Sequence, residues 1–235
     1  MKEKEVNLTA SQKISSKLND FIGRHAKLLV AIAALVIVLI IVLAVALTVM
    51  QSASEKKFNS LLDLEAQYSS LSLMSADDEA YQSTADEFIK SADALIASSS
   101  LDEYPGAKAE LLLADLAFSQ ENYQEAADHY RAVADAQSGS YLAEVAIMNE
   151  AACYDNLGDQ AKALELYNYV FDTFGTDSAY APKALFNAGR LYEAMGETEL
   201  AKASFEQLTG LYLMTENGTV SEYARLAQSH LISMN

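Results

Sequence analysis

Apolar and polar residues alternate in helical periods along most of this chain, and one stretch breaks the pattern by being apolar on every side. From Leu28 to Met50 the chain reads LLVAIAALVIVLIIVLAVALTVM, a run in which Thr48 has the only hydrogen-bonding side chain. At about 1.5 Å per residue a helix of this length spans roughly 34 Å, enough to cross a bilayer. Sixteen of its side chains are Leu, Ile or Val, each favouring insertion by about 0.3–0.6 kcal/mol near a helix centre. A signal peptide joins a short basic start to an apolar run of about 7–15 residues. Here a long tail, Met1 to Lys27, precedes a longer run, so the segment is expected to be an uncleaved transmembrane helix rather than a leader cut near Ala46 or Ser54.

After Tyr104 the helical period acquires a second, longer period. Ala126-x3-Tyr130-x2-Val133 recurs as Ala163-x3-Tyr167-x2-Val170 and as Ala201-x3-Phe205-x2-Leu208, so that the three alanines are almost evenly spaced. At one fixed distance before each alanine stands a small residue, Ala114, Ala151 or Gly189, and at a second, shorter one stands Glu121, Gly158 or Gly196. Each unit therefore predicts a helical hairpin: small residues where two helices cross closely, rings between one hairpin and the next, and glycine turns that end the first helix. In the first unit Glu121-Asn122 replaces the glycine, and asparagine also tolerates such a turn. The spacing resembles the tetratricopeptide repeat over roughly residues 106–210. That resemblance implies an all-α fold, a solenoid of hairpins after the single amino-terminal transmembrane helix.

The rest of the chain is read around this frame. Residues 1–27 form a tail, 28–50 the span, 51–103 a helical linker or degenerate first hairpin, and 104–235 the repeat domain, closed by a capping helix over EYARLAQSHLISM. Within 51–103, Phe58, Leu61, Leu62, Glu65 and Tyr68 and then Phe88, Ala92 and Leu95 keep helical spacing. The run Asp77-Asp78-Glu79 fits a helix start, where carboxylates meet amide dipoles. Asn217-Gly218-Thr219 matches a glycosylation acceptor but is better explained as a turn.

Charge then orients the chain. The tail carries Lys2, Lys4, Lys13, Lys17, Arg24 and Lys27, whereas only Lys56 and Lys57 follow closely behind the span. The bias is expected to place the amino terminus in the cytoplasm and the repeats across the membrane. The residues after the span hold 10 Lys/Arg against 30 Asp/Glu, a charge of −20, which disfavours nucleic acid as a partner. Between Ser11 and Ile22, Ile14, Leu18, Phe21 and Ile22 share a helical face beside Lys13 and Lys17. Two readings stand: an interfacial helix on an anionic leaflet, or a loosely helical tail that serves only topology.

Catalytic chemistry finds no foothold. His25, His129 and His230 are scattered, no phosphate loop or Gly-x-Ser-x-Gly motif occurs, and the single cysteine, Cys153, reads as a small core residue. No cofactor, metal or small-molecule substrate is expected, and the partners are other polypeptides. In the resembling family the exposed face of each first helix lines the inner wall. The matching positions here are Lys108, Leu111, Asp115 and Phe118; Val145, Met148, Ala152 and Asp155; and Lys183, Phe186, Arg190 and Glu193. The expected protein-binding residues are Leu111, Phe118, Met148, Lys183, Phe186 and Arg190, an apolar stripe edged by charge; the same spacing equally fits a stripe that is partly core.

Tail, span and acidic repeats together, with the segment AKAELLLADLAFSQENYQEAADHYRAV, resemble the YfgM-type ancillary proteins of the bacterial Sec translocon. The resemblance implies a single-pass bacterial inner-membrane protein with its repeat domain in the periplasm, a scaffold that passes translocated chains to periplasmic chaperones. A second reading is an envelope scaffold similar to the Tol-linked cell-division coordinator, on the Tyr-Ala-Pro-Lys-Ala segment at 180–184. An envelope enzyme is the third.

Overall fold

A computed structural model describes residues 9–213 and 221–234 of the chain. Two compact units divide between Lys56 and Lys57. The first unit contains most of α1 (Ala10–Ser72), one helix that begins in the tail and passes without a break through residues 28–50. Every side chain from Val30 to Met50 is exposed, so none of the described residues covers this apolar cylinder. The hydroxyl of Thr48 donates to the Ala44 carbonyl at 2.9 Å, leaving the run with no unpaired side-chain donor. The chain is thus all-α, one long apolar helix followed by stacked hairpins.

In the second unit the end of α1 is followed by α2 (Tyr81–Ser99), then by three pairs: α3 (Tyr104–Ser119) with α4 (Tyr123–Ala136), α5 (Tyr141–Asn156) with α6 (Gln160–Phe174), and α7 (Ala181–Ala194) with α8 (Thr198–Tyr212). The helix α9 (Glu222–Ser233) packs on α8 and α7. The repeated positions are the core of each pair. Ala114, Ala126, Tyr130 and Val133 share one cluster, Ala151, Ala163, Tyr167 and Val170 a second, and Ala201, Phe205 and Leu208 a third. A Cβ built on Gly189 would lie 2.6 Å from the Phe205 ring, so the small residue is what admits the ring of its own hairpin.

The three hairpin turns share one hydrogen-bond pattern. Asn122, Asp159 and Glu197 each donate to a carbonyl near the end of the first helix, that of Ala117, Tyr154 and Tyr192 respectively, at 2.9 Å. This arrangement needs a left-handed residue just after the first helix. Gly158 and Gly196 supply it at φ 79°, and in the first unit Glu121 adopts φ 62°. The left-handed residue is therefore Glu121 rather than Asn122, whose φ is −78°.

Residues 57–99 complete a hairpin whose core holds Leu61, Leu64, Leu71, Phe88, Ala92 and Leu95 together with Leu112 and Leu116 of α3. The core thus continues across residue 103. Phe88, Ala92 and Leu95 stand one further period before Ala126, Tyr130 and Val133, with the sizes exchanged: a ring replaces the alanine and an alanine the ring. The acidic run before α2 also behaves differently from a helix cap. Asp78 accepts from the Ser75 amide at 3.0 Å and so closes the preceding turn, while Ala80 is the residue before the helix. The Asn217-Gly218-Thr219 turn and its acceptor motif lie outside the described residues.

Between α2 and α3 the chain turns through Ser100 at φ 50°. A Cβ on Gly106 would stand 1.9 Å from the Ser100 carbonyl oxygen, a backbone atom that can yield only by moving the turn. We expect Gly106→Ala and Gly189→Ala each to destabilise the protein by about 1–3 kcal/mol through overpacking, with Gly106→Ala the worse because Phe205 can shift and the Ser100 carbonyl cannot. Thermal melts of the two variants check the order, and equal melting with the parent would contradict the crossing geometry. Glu121→Gly should raise stability by roughly 0.5 kcal/mol, the left-handed penalty of about 1–2 less the extra chain entropy of glycine. A lower melting temperature would show that Glu121 is held by something other than the turn.

Candidate interaction surface

The first helices α3, α5 and α7 carry the residues expected to bind polypeptides, and the structure separates them into three groups. Leu111 and Met148 are core: Leu111 packs with Tyr130 and Val133, and Met148, 1% exposed, packs with Tyr167 and Val170. The expected apolar stripe is corrected at these two positions. Each first helix is turned so that they face the second helices, the side where the rings need apolar partners.

Phe118, Lys183 and Phe186 remain half-buried on the first helices. Phe118 stands edge-on to Tyr123 with ring centroids 5.2 Å apart. Phe186 sits among Phe205, Tyr223 and His230, at 5.7–5.9 Å from each ring. Arg190 is engaged within the protein, its guanidinium donating to the Asp155 carboxylate of α5. His230 pairs with Glu193 at 2.8 Å, and the Asp115 carboxylate accepts the Tyr130 hydroxyl. Burial raises the Asp115 carboxyl above its usual range against the pull of that hydrogen bond and of Lys108. The charges on this face thus bind neighbouring repeats to one another.

A different surface is open. Between α4 and α6, over α5, lies a cleft of about 340 Å³. Ala134, Ile147, Leu166 and Tyr169 give it apolar walls, and its rim carries both signs, Arg131 and Lys162 beside Asp135 and Glu165. At its base Glu150 is 3% exposed and receives the Arg131 Nε at 2.9 Å. Burial pushes the Glu150 carboxyl up, and the Arg131 hydrogen bond and charge hold it down. The Arg131 guanidinium also lies 5.9 Å from the Tyr154 ring centre and donates to its hydroxyl. A smaller cleft of about 210 Å³ repeats the arrangement between α2 and α4 over α3, lined by Ile89, Leu113 and Leu116 with Asp93, Glu125 and His129 at its edge.

These clefts lie where the repeat pattern was silent. The register accounts for Ala163, Tyr167 and Val170 on α6, and Leu166 and Tyr169 are apolar residues beyond what that register needs. That surplus was the available signal.

Reactive groups are muted. Cys153 is fully buried, and burial, with the Glu150 and Asp115 charges nearby, pushes its thiol up to about 12. Among the described residues no three His, Cys, Asp or Glu side chains converge as metal ligands.

Stacked hairpins with small-against-ring crossings make an all-α helical-repeat fold consistent with the tetratricopeptide repeat. The tetratricopeptide repeat family matches residues 182–212, the third hairpin. A relative from Treponema pallidum (strain Nichols), described as a TPR repeat-containing protein, is 31% identical over 134 residues, or 57% of this chain. The chain spans about half of that relative's length, 53%. Residues 182–212 thus match a tetratricopeptide repeat, and the chain is similar over part of its length to a protein that contains such repeats.

One pair, at the edge of the smaller cleft, is expected to respond to pH. His129 Nδ1 lies 2.7 Å from Glu110 Oε1, and that hydrogen bond is the main cause raising the imidazole above its ordinary 6.5, with partial burial opposing it and the charges of Glu110, Glu125 and Asp128 adding to it. A raised folded-state value means that the pair's stabilisation is complete below the unfolded value of about 6.5 and is lost as pH rises through the folded one. We expect the melting-temperature gap between the parent and His129→Gln to be widest in mildly acid buffer and to close in alkaline buffer. A gap that is independent of pH would show that the imidazole contributes through packing alone.

Proposed function

We propose that the protein is a non-catalytic scaffold, anchored in the bacterial inner membrane by residues 28–50, whose periplasmic repeats hold polypeptide segments. The single observation that carries the binding part is the cleft between α4 and α6. Its apolar walls under a rim of both charge signs suit a chain of mixed character, and the first-helix face has most of its charges already paired. The anchor and topology rest on the exposed apolar length of α1 and on six Lys/Arg before the span against two close behind it. In this reading Phe118, Lys183 and Phe186 are secondary contacts, and Leu111, Met148 and Arg190 hold the repeats together.

The likeness to YfgM-type ancillary proteins supports a role beside the Sec translocon, receiving newly exported chains and passing them to periplasmic chaperones. The Tyr180–Ala184 segment that opens α7 supports the second reading, an envelope or cell-division scaffold similar to the Tol-linked coordinator.

A photoreactive phenylalanine analogue placed at Tyr169 in cells, with a second set of cells carrying it at Phe118, tests both parts. Crosslinks from Tyr169 to translocon subunits or exported chains are expected, and protease added to spheroplasts should destroy the adduct. Crosslinks confined to Phe118 would move binding to the first-helix face, and a protected repeat domain would overturn the topology. Crosslinks to Tol or cell-wall synthesis proteins would favour the second reading.

A further inference from the structure

The tail contributes a helix of its own before the span. From Ala10 onward α1 is regular helix, and Ile14, Leu18, Phe21 and His25 succeed one another at alternating steps of four and three positions, which puts them on one face. The His25 ring packs against Phe21 with centroids 4.7 Å apart and so extends the stripe by a turn. Ile14 is 68% exposed and Phe21 54%, so none of the described residues covers this face. Lys13, Lys17, Arg24 and Lys27 run along one flank with Asp20 the only acid among them, four positive charges against one between Ser11 and Lys27.

Gly23 stands within this unbroken helix at a place where glycine has no packing reason. No atom lies within 4 Å of a Cβ built there, and its φ is not in the left-handed region. An interior glycine weakens a helix by about 1 kcal/mol relative to alanine. Neither close approach nor a turn accounts for it, and its low helix propensity makes it the place between Ile22 and the span where the helix bends at least cost.

We infer that residues 11–22 leave the axis of the span at Gly23 and lie on the cytoplasmic leaflet, the apolar stripe in the headgroup layer and the lysines and Arg24 on anionic phospholipid headgroups. The inference rests on the anchored, amino-terminus-inside reading given above. Two observations select the lipid over a second copy of the chain. The flank that would meet its twin in a parallel pair carries Lys17 and Arg24 with no facing carboxylate, and Lys27 adjoins the span directly, which confines the stripe to the membrane surface.

The chain contains no tryptophan, so Phe21→Trp in the full-length protein gives a single fluorescent reporter. In vesicles of phosphatidylcholine and phosphatidylglycerol containing brominated lipid, its emission should be blue-shifted and quenched. Replacing Lys13, Lys17 and Arg24 together by glutamine should lower the docking equilibrium roughly a hundredfold, since each such cation contributes about fivefold at an anionic surface. Equal quenching in that variant, or in vesicles of phosphatidylcholine alone, would overturn the inference. An emission shift that instead follows the protein-to-lipid ratio would overturn it in favour of self-association. Gly23→Ala should reduce the quenching, and unchanged quenching would remove the bend. Leu39→Trp, at mid-span, keeps the two readings apart: if it is quenched and Phe21→Trp is not, only the docking fails, whereas if neither is quenched the anchor itself fails.

Discussion

The second unit depends on one steric relation, a residue with little or no side chain on the first helix of a hairpin facing a ring on the second. Gly189 shows its limit, because even a methyl group there would enter the Phe205 ring. With the small residue in place the two helices approach, and the ring fills the space that the next first helix needs as its floor. Tyr167 shares a cluster with Ala151 of its own hairpin and with Ala184 and Ala188 of the next. One ring therefore joins two hairpins, and the stack grows by repeating that contact.

The extent to which this was legible in the sequence follows from how strictly size is required at each position. Where a position tolerates only a small residue or only a ring, its identity recurs, and the period from Ala126 to Ala163 to Ala201 is visible. At the 57–99 hairpin the same spacing is kept but Phe88 and Ala92 exchange roles, so a search for alanine and then a ring passes over it although the core is built at the same intervals. Glu121 is a related case. The turn demands a backbone conformation rather than a residue type, and the backbone imposes it on glutamate when hydrogen bonds from Glu121 and Asn122 close the turn. The left-handed position was legible in the second and third units, where glycine marks it, and misplaced by one position in the first.

The candidate surface was less legible, for a geometric reason. Residues at helical spacing on a first helix can face the groove or the second helix, and the two faces differ by about one position in register. Leu111 and Met148 fall on the inner side of that division, Phe118 and Phe186 near it. Arg190, Asp155, Glu193 and His230 lie on the outer side but satisfy one another between helices, which pattern alone does not reveal because their partners are a whole repeat away in the chain. The clefts require three helices at once, two second helices and the first helix beneath, so no single periodicity announces them.

Charge distinguishes the available surfaces from one another. Beyond the span 30 acidic side chains face 10 basic ones, and Lys57, Arg131, Lys162 and Arg190 each hold a carboxylate of this protein. A polypeptide approaching most of the domain meets a net negative field that salt weakens beyond about 10 Å. At the cleft between α4 and α6 two of these cations stand together at the rim, above apolar walls and a buried Glu150 whose charge Arg131 already answers. Apolar surface is open at the same place. Under the proposed function, an apolar segment bearing a few charges would gain burial at that cleft and meet both signs at its rim, so the placement of the few cations, rather than their number, would set which segments fit.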